Sequence, residues 1–339
     1  MESSSEGQRI PVVSVVIPCR NEERYIEECV RSVLDSSYPT DKIEIFVADG
    51  LSTDGTSAIL AELARRNPRV SHLINEERKT PYGLNQGIRA ATGEIIVILG
   101  AHSAIYPDYI QKCVNKLAEN TDAACVGGVL ENTFEDTISE TISLAMSSAF
   151  GVGSAHFRTG LKEGEVDTVA FGAYRKSVFD QVGLFDEQLT RNQDDELNFR
   201  ITKAGFNILL SKDIKSKYHV RASLPRLFSQ YYQYGFWKVY VNKKHKTITT
   251  ARQLAPLFLV LYFLCLTALA LYDSFFTLFA FVSLGVYLLA GLLATFSKTL
   301  NPVKQLLILT SFVVLHTSYG FGYLMGLFYF ILGNRTIKG

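Results

Sequence analysis

The chain has 339 residues, of which 47% are hydrophobic and 20% charged, and its formal net charge at pH 7 is +1. This length accommodates one large domain with an appendage, or two domains, and the near-zero charge gives no indication of a nucleic-acid partner. The five cysteines lack CxxC spacing, which indicates reduced thiols rather than a disulfide framework or a zinc site.

The N-terminal residues, 1–10, form a polar tail without an apolar segment. A secretory signal peptide needs an apolar core of about 7 to 15 residues, so none is expected here. We therefore expect the first 250 residues to lie in the cytoplasm.

The next part of the chain alternates short β-rich runs with helical patterns. Strands are predicted for the runs VVSVVIP (12–18), EIFVADG (44–50), VSHLIN (70–75) and EIIVIL (94–99). Helices are predicted between them, over residues 23–36, 56–67 and 83–91. Continuous apolar strands separated by helices of this length indicate a parallel sheet covered on both faces, and so an α/β fold.

Ligands of such sheets bind beyond the carboxyl ends of the strands. In this sequence polar residues follow all four predicted strands, at 18–22, 49–54, 75–79 and 100–102. Neither the dinucleotide fingerprint GxGxxG nor the phosphate loop GxxxxGKS/T occurs in the chain. A ligand at this edge of the sheet is therefore expected to be held by other means.

Residues 223–239, SLPRLFSQYYQYGFWKV, carry apolar side chains at helical spacing, with aromatic and basic residues around them. Such a helix is typical of a membrane interface, and we assign an amphipathic interfacial segment to residues 223–252. The same pattern also fits a helix in the core of the preceding domain. The sequence leaves both alternatives open.

Three C-terminal runs lack Asp, Glu, Lys and Arg, over residues 254–272, 275–296 and 305–332. Each reaches the roughly 20 residues that a helix needs to cross a hydrocarbon core about 30 Å thick. Three successive runs without a polar face argue against a buried bundle in a soluble protein. We therefore predict a transmembrane region over residues 253–333.

The charges that flank these runs indicate their orientation. Several Lys and Arg residues precede the first run, and Lys298 and Lys304 lie between the second and third, which places both flanks in the cytoplasm. With three spans, a tail carrying Arg335 and Lys338 would lie outside, against this rule. Either the third run is re-entrant, helped by the glycines of SYGFGYLMG, or this small charge bias is overridden.

Five stretches occur in a specific order along the chain. They are VVIPCRNEERYIEECVRSVL, VADGLSTDGT, KTPYGLNQGIRAATGEIIVILGAH, FGAYRKSVFDQVGLFDE and NQDDELNFRITKAG. Together they resemble the family 2 glycosyltransferases of the GT-A fold, and the stretches AHSAIYP and SYGFGYLMG resemble the succinoglycan-type exopolysaccharide glucosyltransferases within that family. The resemblance implies a Rossmann-like nucleotide-diphospho-sugar transferase domain over residues 11–222.

The resemblance also implies which residues contact the nucleotide. Asp49 matches the aspartate that accepts a hydrogen bond from the nucleobase, although alone it would be a turn residue before Gly50. Asp54 is expected to brace its loop, and the alternative for Lys79 is a solvated surface charge. The predicted nucleotide-binding residues are Pro18, Arg20, Glu22, Asp49, Lys79, Asn85 and Ala101.

The metal site that the resemblance implies departs from the family pattern. The family carries Asp-x-Asp after the fourth strand, and its exopolysaccharide branch carries Asp-x-His. Here Gly100 stands at the first position and His102 at the last. Histidine binds Mn²⁺-like ions, so Mn²⁺ or Mg²⁺ is expected on His102, and a polar strand end without a ligand role is the alternative. Because one carboxylate is missing, we expect the ion to arrive with the sugar nucleotide.

The stretch NQDDEL is expected to supply the base that deprotonates an acceptor hydroxyl. The resemblance aligns Asp194 with the catalytic aspartate, and Asp195 and Glu196 complete a supporting acidic cluster. Gln193 stands where the family has glutamate, which removes a neighbouring charge and should make the base slightly more acidic. The alternative is an acidic helix N-terminus favoured by the helix dipole.

The resemblance implies a membrane-anchored inverting glycosyltransferase of cell-surface or exopolysaccharide synthesis. Its default donor is a UDP-sugar, its acceptor a lipid-linked saccharide, and its location the cytoplasmic membrane, with several spans and a cytoplasmic catalytic domain. A polyprenyl-phosphate sugar synthase and a nucleotide-binding membrane relative without catalysis are the alternatives. A processive synthase is disfavoured because three spans are few for a polymer channel and because Phe236 replaces the arginine of its Gln-x-x-Arg-Trp motif.

Overall fold

The computed structural model describes residues 9–220 and 223–333. Most of the predicted polar tail over residues 1–10 lies outside this described part, as do Arg335 and Lys338. The described residues form two compact units, and each is built from stretches that are separated in sequence.

We call the two units the α/β unit and the helical unit. The α/β unit consists of the chain up to Glu131, Lys162–Glu187 and Gln193–Tyr218. The helical unit consists of Asn132–Leu161, Gln188–Asn192 and the chain from His219 onward. The domain boundaries that we predicted at residues 222 and 252 stay predictions.

One mixed sheet contains the nine strands that occur in the described residues. They are β1 Val13–Cys19, β2 Ile43–Asp49, β3 Val70–Ile74, β4 Ile95–Ile98, β5 Ser103–Ile105, β6 Ala123–Thr133, β7 Gly164–Glu165, β8 Ala170–Arg175 and β9 Asn207–His219. Their order in the sheet is β3-β2-β1-β4-β8-β6-β9-β5, and β7 pairs with β9. Strands β1 and β2 are buried along nearly their whole length, which explains their continuous apolar sequences.

The N-terminal half of the sheet is parallel. β1 pairs in parallel with both β2 and β4, so that Val13 lies opposite Ile43 and Ile95, and β2 pairs in parallel with β3. The four predicted strands are therefore confirmed as parallel neighbours, with ends within one residue of the predicted bounds. β8 pairs antiparallel with both β4 and β6, so the sheet becomes mixed beyond β4, which the sequence did not predict.

Thirteen α-helices occur in the part of the chain that the structure describes. In order they are α1 Ile26–Leu34, α2 Thr56–Arg66, α3 Thr80–Ala90, α4 Tyr109–Glu119, α5 Thr137–Met146, α6 Ala149–Val152, α7 His156–Thr159, α8 Lys176–Val182, α9 Gln193–Lys203, α10 Leu224–His245, α11 Ala255–Leu269, α12 Ser274–Phe296 and α13 Pro302–Gly326. Helix α1 illustrates how the α/β unit packs. It buries Ile26, Cys29, Val30 and Val33, whose spacing of three and four residues forms one apolar face on the core.

In the helical unit, α10 and α13 cross at close range. A Cβ atom added at Gly235 would lie 2.1 Å from the carbonyl oxygen of Tyr319, and one at Gly322 would lie 1.9 Å from that of Tyr232. Only glycine fits where two helix backbones approach this closely. Gly322 and Gly326 of the third apolar run therefore serve this crossing, whereas Gly320 lies against Pro256 of α11. Helix α13 is continuous, and a π-helical segment, Leu327–Leu332, extends it.

Helix α10 has one packed side and one open side. Its Val239 belongs to an apolar cluster with Leu257 of α11 and with Tyr319 and Tyr323 of α13. Phe228, near the start of α10, is 43% exposed. The structure thus combines features of both alternatives for this segment, and its location at a membrane interface stays a prediction.

Three helical segments are long and apolar enough to cross a membrane: Ala251–Leu269, Ser274–Phe296 and Pro302–Leu332. They overlap the three predicted spans, with ends within three residues of the predicted bounds, and confirm the predicted C-terminal apolar region. Leu278, Phe281 and Val286 of α12 are each more than 60% exposed. Contact with water would cost about 25 cal/mol for each Å² of such apolar surface, so a hydrocarbon environment suits this helix better.

Candidate active site

Three loops at the carboxyl edge of the parallel strands contain residues with a left-handed backbone. Asn21 follows β1, Leu51 follows β2 and Arg78 follows β3, with φ values of 56°, 55° and 57°. This conformation is costly for Leu and Arg, so surrounding contacts must hold these loops in place. Backbone strain of this kind clusters at ligand-binding loops, which makes this edge the candidate site.

Asp49 holds the loop that follows β2. Its Oδ1 accepts hydrogen bonds from the amide and the hydroxyl of Ser52, at 3.0 and 2.6 Å, and its Oδ2 accepts one from the hydroxyl of Ser57. The Nε2 of His72 lies 3.7 Å from Oδ2, and the Asp49 side chain has no exposed surface. A nucleobase therefore reaches this carboxylate only if a serine hydroxyl turns away, and the base-binding role of Asp49 stays a prediction.

Hydrogen bonds tie the loop after β1 to the loop after β2. The Asn21 amide donates to the Ser52 hydroxyl at 2.8 Å, and the Asn21 side-chain oxygen accepts from the Thr53 amide at 2.8 Å. The Glu22 amide donates to the Thr56 hydroxyl, also at 2.8 Å. The position of Glu22 is therefore fixed from the β2 side of the site.

Asp54 braces the same pair of loops. Its Oδ1 accepts hydrogen bonds from the Thr56 hydroxyl and amide, at 2.6 and 3.1 Å, and its Oδ2 accepts one from the Glu23 amide at 3.3 Å. Burial alone would raise the pKa of Asp54, but these hydrogen bonds outweigh burial and lower the pKa below its usual value. The contacts agree with the bracing role that we expected for this residue.

Basic residues surround Gly50. A Cβ atom added there would lie 3.4 Å from the Cα of Arg78 and 3.5 Å from the Cβ of Arg20, and both arginines are exposed. The ammonium group of Lys79 lies 5.7 Å from the centroid of the Tyr82 ring, so it is more than a solvated charge. The positive charge at this edge suits a diphosphate. Sequence reasoning missed Arg78, whose left-handed backbone and place beside Gly50 appear only in the structure.

Three predicted nucleotide-binding residues lie partly or fully inside the α/β unit. Asn85 is 1% exposed, and its amide group binds the backbone of Phe185 and the carboxylate of Glu187. These contacts favour a role in attaching α3 to that segment. Pro18 is half-buried in β1, and Ala101 is buried, so contact with Ala101 would go through its backbone. Their nucleotide-binding roles stay predictions.

An aromatic ring fills the space beside Gly100. A Cβ atom added at Gly100 would lie 3.0 Å from the Cε1 of Phe171 and 3.7 Å from the hydroxyl of Ser103. Phe171 has a left-handed backbone with φ 51°, and its carbonyl accepts a hydrogen bond from the Tyr109 hydroxyl. An aspartate at position 100 would therefore have to displace this ring, a constraint that the sequence did not reveal.

His102 lies between a carboxylate and an aromatic ring. Its Nδ1 is enclosed without a hydrogen-bond partner and lies 3.5 Å from the Oε1 of Glu22. Its ring meets that of Tyr218 edge to face, with centroids 5.1 Å apart. The structure thus brings the predicted metal ligand and a predicted nucleotide-binding residue together, although 80 positions separate them in the chain.

His102 and Glu22 fit a divalent ion that takes most of its ligands from elsewhere. Within residues 9–220 and 223–333, no group of three or more His, Cys, Asp or Glu side chains is placed to hold a metal ion. Mg²⁺ is commonly bound through one or two carboxylates, substrate phosphates and water. A histidine whose ring lies beside a carboxylate suits that mode, and binding of Mn²⁺ or Mg²⁺ with the nucleotide stays a prediction.

The acidic residues at the start of α9 differ in their surroundings. Asp194 is exposed and accepts a hydrogen bond from the Asp195 amide at 2.9 Å, whereas Asp195 is half-buried. Glu196 is fully buried, and its carboxylate accepts hydrogen bonds of 2.8 to 3.1 Å from Arg200. Glu196 therefore anchors the helix, and Asp194 is the carboxylate that a substrate hydroxyl reaches most readily. Its role as the base stays a prediction.

Comparisons with known proteins show the family. Residues 14–183 match the model of Glycosyl transferase family 2. The chain is 29% identical to dolichyl N-acetyl-alpha-D-glucosaminyl phosphate 3-beta-D-2,3-diacetamido-2,3-dideoxy-beta-D-glucuronosyltransferase of Methanococcus voltae, over 96% of this chain and 99% of the relative. It is 31% identical to succinoglycan biosynthesis protein ExoA of Rhizobium meliloti (strain 1021), over 72% of this chain and 74% of that protein.

A solved structure shares the fold. It is the mannosyltransferase PcManGT from Pyrobaculum calidifontis in complex with GDP-Man and Mn²⁺, with a TM-score of 0.56 and 20% identity over 96% of this chain and 88% of that one. The sheet and its polar carboxyl edge define the class as a GT-A nucleotide-diphospho-sugar transferase. The chain belongs to glycosyltransferase family 2 and is a transferase, which confirms the resemblance, the fold class and the enzyme class predicted from the sequence.

Proposed function

We propose that this glycosyltransferase moves a sugar, with inversion, from a nucleotide-diphosphate sugar to a hydroxyl of a lipid-linked saccharide. The observation that carries the proposal is the exposed Asp194 carboxylate at the start of α9, in the same unit as the basic carboxyl edge of β1 to β3. The relative that matches nearly the whole chain is named for transfer to a dolichyl-linked N-acetylglucosaminyl phosphate, which supports this acceptor class.

The donor would lie along the loops that follow β1, β2 and β3. Arg20, Arg78 and Lys79 supply positive charge for the diphosphate, and the Asp49 loop borders the nucleobase. A UDP-sugar is the default donor. Because the solved mannosyltransferase holds GDP-Man, guanosine donors belong in the same test.

The transfer would proceed as a single displacement. Asp194 accepts the proton of the acceptor hydroxyl while that oxygen attacks the anomeric carbon, and the bond from this carbon to the diphosphate oxygen breaks. His102, with Glu22 beside it, would hold Mn²⁺ or Mg²⁺, which when bound would neutralise part of the charge on the departing diphosphate. Attack from the face opposite the leaving group inverts the anomeric configuration.

The membrane location follows from the C-terminal helices. Three segments long and apolar enough to span a membrane support a multi-pass protein of the cytoplasmic membrane. Lys298, between α12 and α13, and Lys304, in the first turn of α13, favour a cytoplasmic position for that connection and hence for the catalytic domain. The lipid part of the acceptor would then lie in the cytoplasmic leaflet, on the same side of the membrane as the catalytic domain.

Purified full-length protein in lipid nanodiscs with Mn²⁺ tests the proposal. UDP-glucose, UDP-N-acetylglucosamine and GDP-mannose are each offered with polyprenyl phosphate and with a polyprenyl-phosphate-linked saccharide. We expect a glycosylated lipid-linked saccharide whose new bond has the opposite anomeric configuration to the donor, and a rate lower by about 10² to 10⁴ with Asp194→Asn. Product with free polyprenyl phosphate alone would favour a polyprenyl-phosphate sugar synthase, and nucleotide binding without any turnover would favour the non-catalytic alternative.

A further inference from the structure

The two ring nitrogens of His102 have different surroundings. Nδ1 is enclosed, has no hydrogen-bond partner and lies 3.5 Å from the Oε1 of Glu22. The other ring nitrogen, Nε2, is not both buried and without a hydrogen-bond partner, and the His102 side chain as a whole is 24% exposed. A metal ion approaching the carboxyl edge of the sheet therefore meets Nε2, while Nδ1 faces the carboxylate.

Glu22 is held firmly in its place. Its side chain is 9% exposed, and its amide donates to the Thr56 hydroxyl at 2.8 Å. Its carbonyl accepts hydrogen bonds from the amides of Tyr25 and Ile26, at 3.0 and 2.9 Å, where the chain enters α1. These hydrogen bonds fix the backbone of Glu22, and its mostly buried carboxylate lies next to the His102 ring.

Aromatic rings border His102 and Gly100. Tyr218 meets the His102 ring edge to face, and Phe171 lies 6.5 Å from Tyr218 between ring centroids. The Phe171 ring also lies next to Gly100. A Cβ atom at position 100 would lie 3.0 Å from this ring, so a side chain there requires the ring to shift, whereas the Glu22 carboxylate already lies 3.5 Å from His102.

We propose, on the basis of the proposed function, that Glu22 is the positioning residue of the metal site. It accepts the Nδ1–H of His102 when the contact shortens to hydrogen-bond length, and so presents Nε2 to a divalent cation bound with the nucleoside diphosphate. Carboxylate partners of this kind fix the tautomer and orientation of histidine ligands and raise their basicity. Glu22 thereby supplies the negative charge that position 100 lacks in this chain.

The first test measures Mn²⁺ affinity rather than turnover. Free Mn²⁺ is quantified by EPR during titration of the full-length protein in detergent with saturating UDP. Replacing such a partner typically weakens metal binding by about 10-fold to 100-fold, so we expect roughly 10-fold for Glu22→Gln and up to about 100-fold for Glu22→Ala. Glu27→Gln removes an exposed carboxylate of α1 that pairs with Arg31, and it should match the parent.

The second test separates positioning from a general effect on folding. The protein is labelled with ¹⁵N-histidine, and its imidazole signals are recorded by NMR without metal at a pH of about 8, where histidine is neutral. His102→Ala identifies the signal. We expect the Nδ1–H tautomer in the parent and a shift towards the Nε2–H tautomer in Glu22→Ala. Glu22→Gln keeps the side-chain size, and it replaces Glu22→Ala in this test if Glu22→Ala does not fold.

The outcomes distinguish this proposal from the proposed function. If the parent binds UDP and Mn²⁺ but Glu22→Ala binds Mn²⁺ equally well with an unchanged His102 tautomer, the positioning role is overturned and the enzyme assignment stands. If the parent binds no nucleotide of any base, both proposals fail. Weaker Mn²⁺ binding together with a changed tautomer supports the positioning role.

Discussion

Asp194 and Asp195 are neighbours in the chain, but their surroundings suit them to different tasks. The exposed Asp194 carboxylate can meet a substrate from solvent, while Asp195 is half-buried and its amide holds Asp194 in place. Glu196, next along the helix, is committed to Arg200. These contacts divide a run of three acids into a candidate base, a supporting residue and an anchor.

Asp194→Asn should therefore lower kcat by about 10² to 10⁴, the range that positioned acid-base groups usually contribute. Nucleotide affinity should change little, because the basic residues that we propose for the diphosphate belong to the β1 and β3 loops. Steady-state kinetics with one acceptor, together with UDP titration, measures both effects. Asp195→Asn is the matched control and should be much milder. An inactive Asp195→Asn beside a nearly normal Asp194→Asn would show that the base is the other aspartate.

A second prediction at the residue scale concerns position 100. Gly100→Asp alone should lower the Mn²⁺ concentration for half-maximal rate only slightly, because its Cβ would lie 3.0 Å from the Phe171 ring. Combining it with Phe171→Leu makes room for the carboxylate and should lower that concentration further. Phe171→Leu alone is the control. Equal metal dependence in all three variants and the parent would argue against a metal site here, as would full activity in EDTA.

Motifs did not predict the partners of the candidate site residues. Asn85 was predicted to contact the nucleotide, and its amide group binds the segment around Phe185, 100 residues away. In the structure, Gly100 lies next to the Phe171 ring, and His102 lies next to the Glu22 carboxylate. Such contacts depend on how distant strands pack, and a local sequence pattern contains no information about them.

At the scale of elements, burial explains which strands were predictable. β1, β2 and β4 lie side by side in the sheet and are mostly apolar and buried, so a simple pattern gives their ends. β6 and β9 are longer and less uniformly buried. β8 pairs with β4 and β6, which lie far from it in sequence. The direction of those pairings follows from the chain path, which periodicity does not encode.

The crossing of α10 and α13 yields a prediction about stability. Gly322→Ala should lower the free energy of unfolding by about 1 to 3 kcal/mol or more, because the new Cβ would meet the Tyr232 carbonyl. Gly285→Ala in α12 is the control, since nothing lies within 4 Å of its added Cβ. Thermal unfolding in detergent should show a lower Tm for Gly322→Ala alone. Equal Tm values would mean that the two helices do not approach this closely.

At the scale of the whole molecule, the units do not follow the order of the chain. Residues 132–161 fold with the C-terminal helices, although they stand between strands of the sheet in sequence. Within the helical unit, Lys304 at the start of α13 pairs with Glu140 of α5 at 2.7 Å, and Lys298 donates to the carbonyl of Ser147 at 2.9 Å. Composition alone identifies only the apolar helices. That residues 132–161 fold with these helices was therefore not predictable from the sequence.

Membrane insertion of residues 251–332 predicts resistance to extraction. The exposed apolar surface of α12 should keep the full chain in the membrane pellet after washing with alkaline carbonate or high salt, conditions that remove peripherally bound proteins. A chain ending at residue 222 is the comparison, and it should be released to a much greater extent. Recovery of the full chain in the carbonate supernatant would contradict insertion.

The length of the last helical segment has a consequence for the lipids around the protein. Pro302–Leu332 has 31 residues, which at 1.5 Å per residue gives about 46 Å, well beyond a hydrocarbon core of about 30 Å. Lys304, in the first turn of this segment, forms an ion pair with Glu140 of α5, and this ion pair restrains movement of the helix along its axis. Hydrophobic mismatch must then be relieved by tilt or by thickening of the surrounding bilayer. The enzyme should therefore respond to acyl-chain length as well as to its substrates.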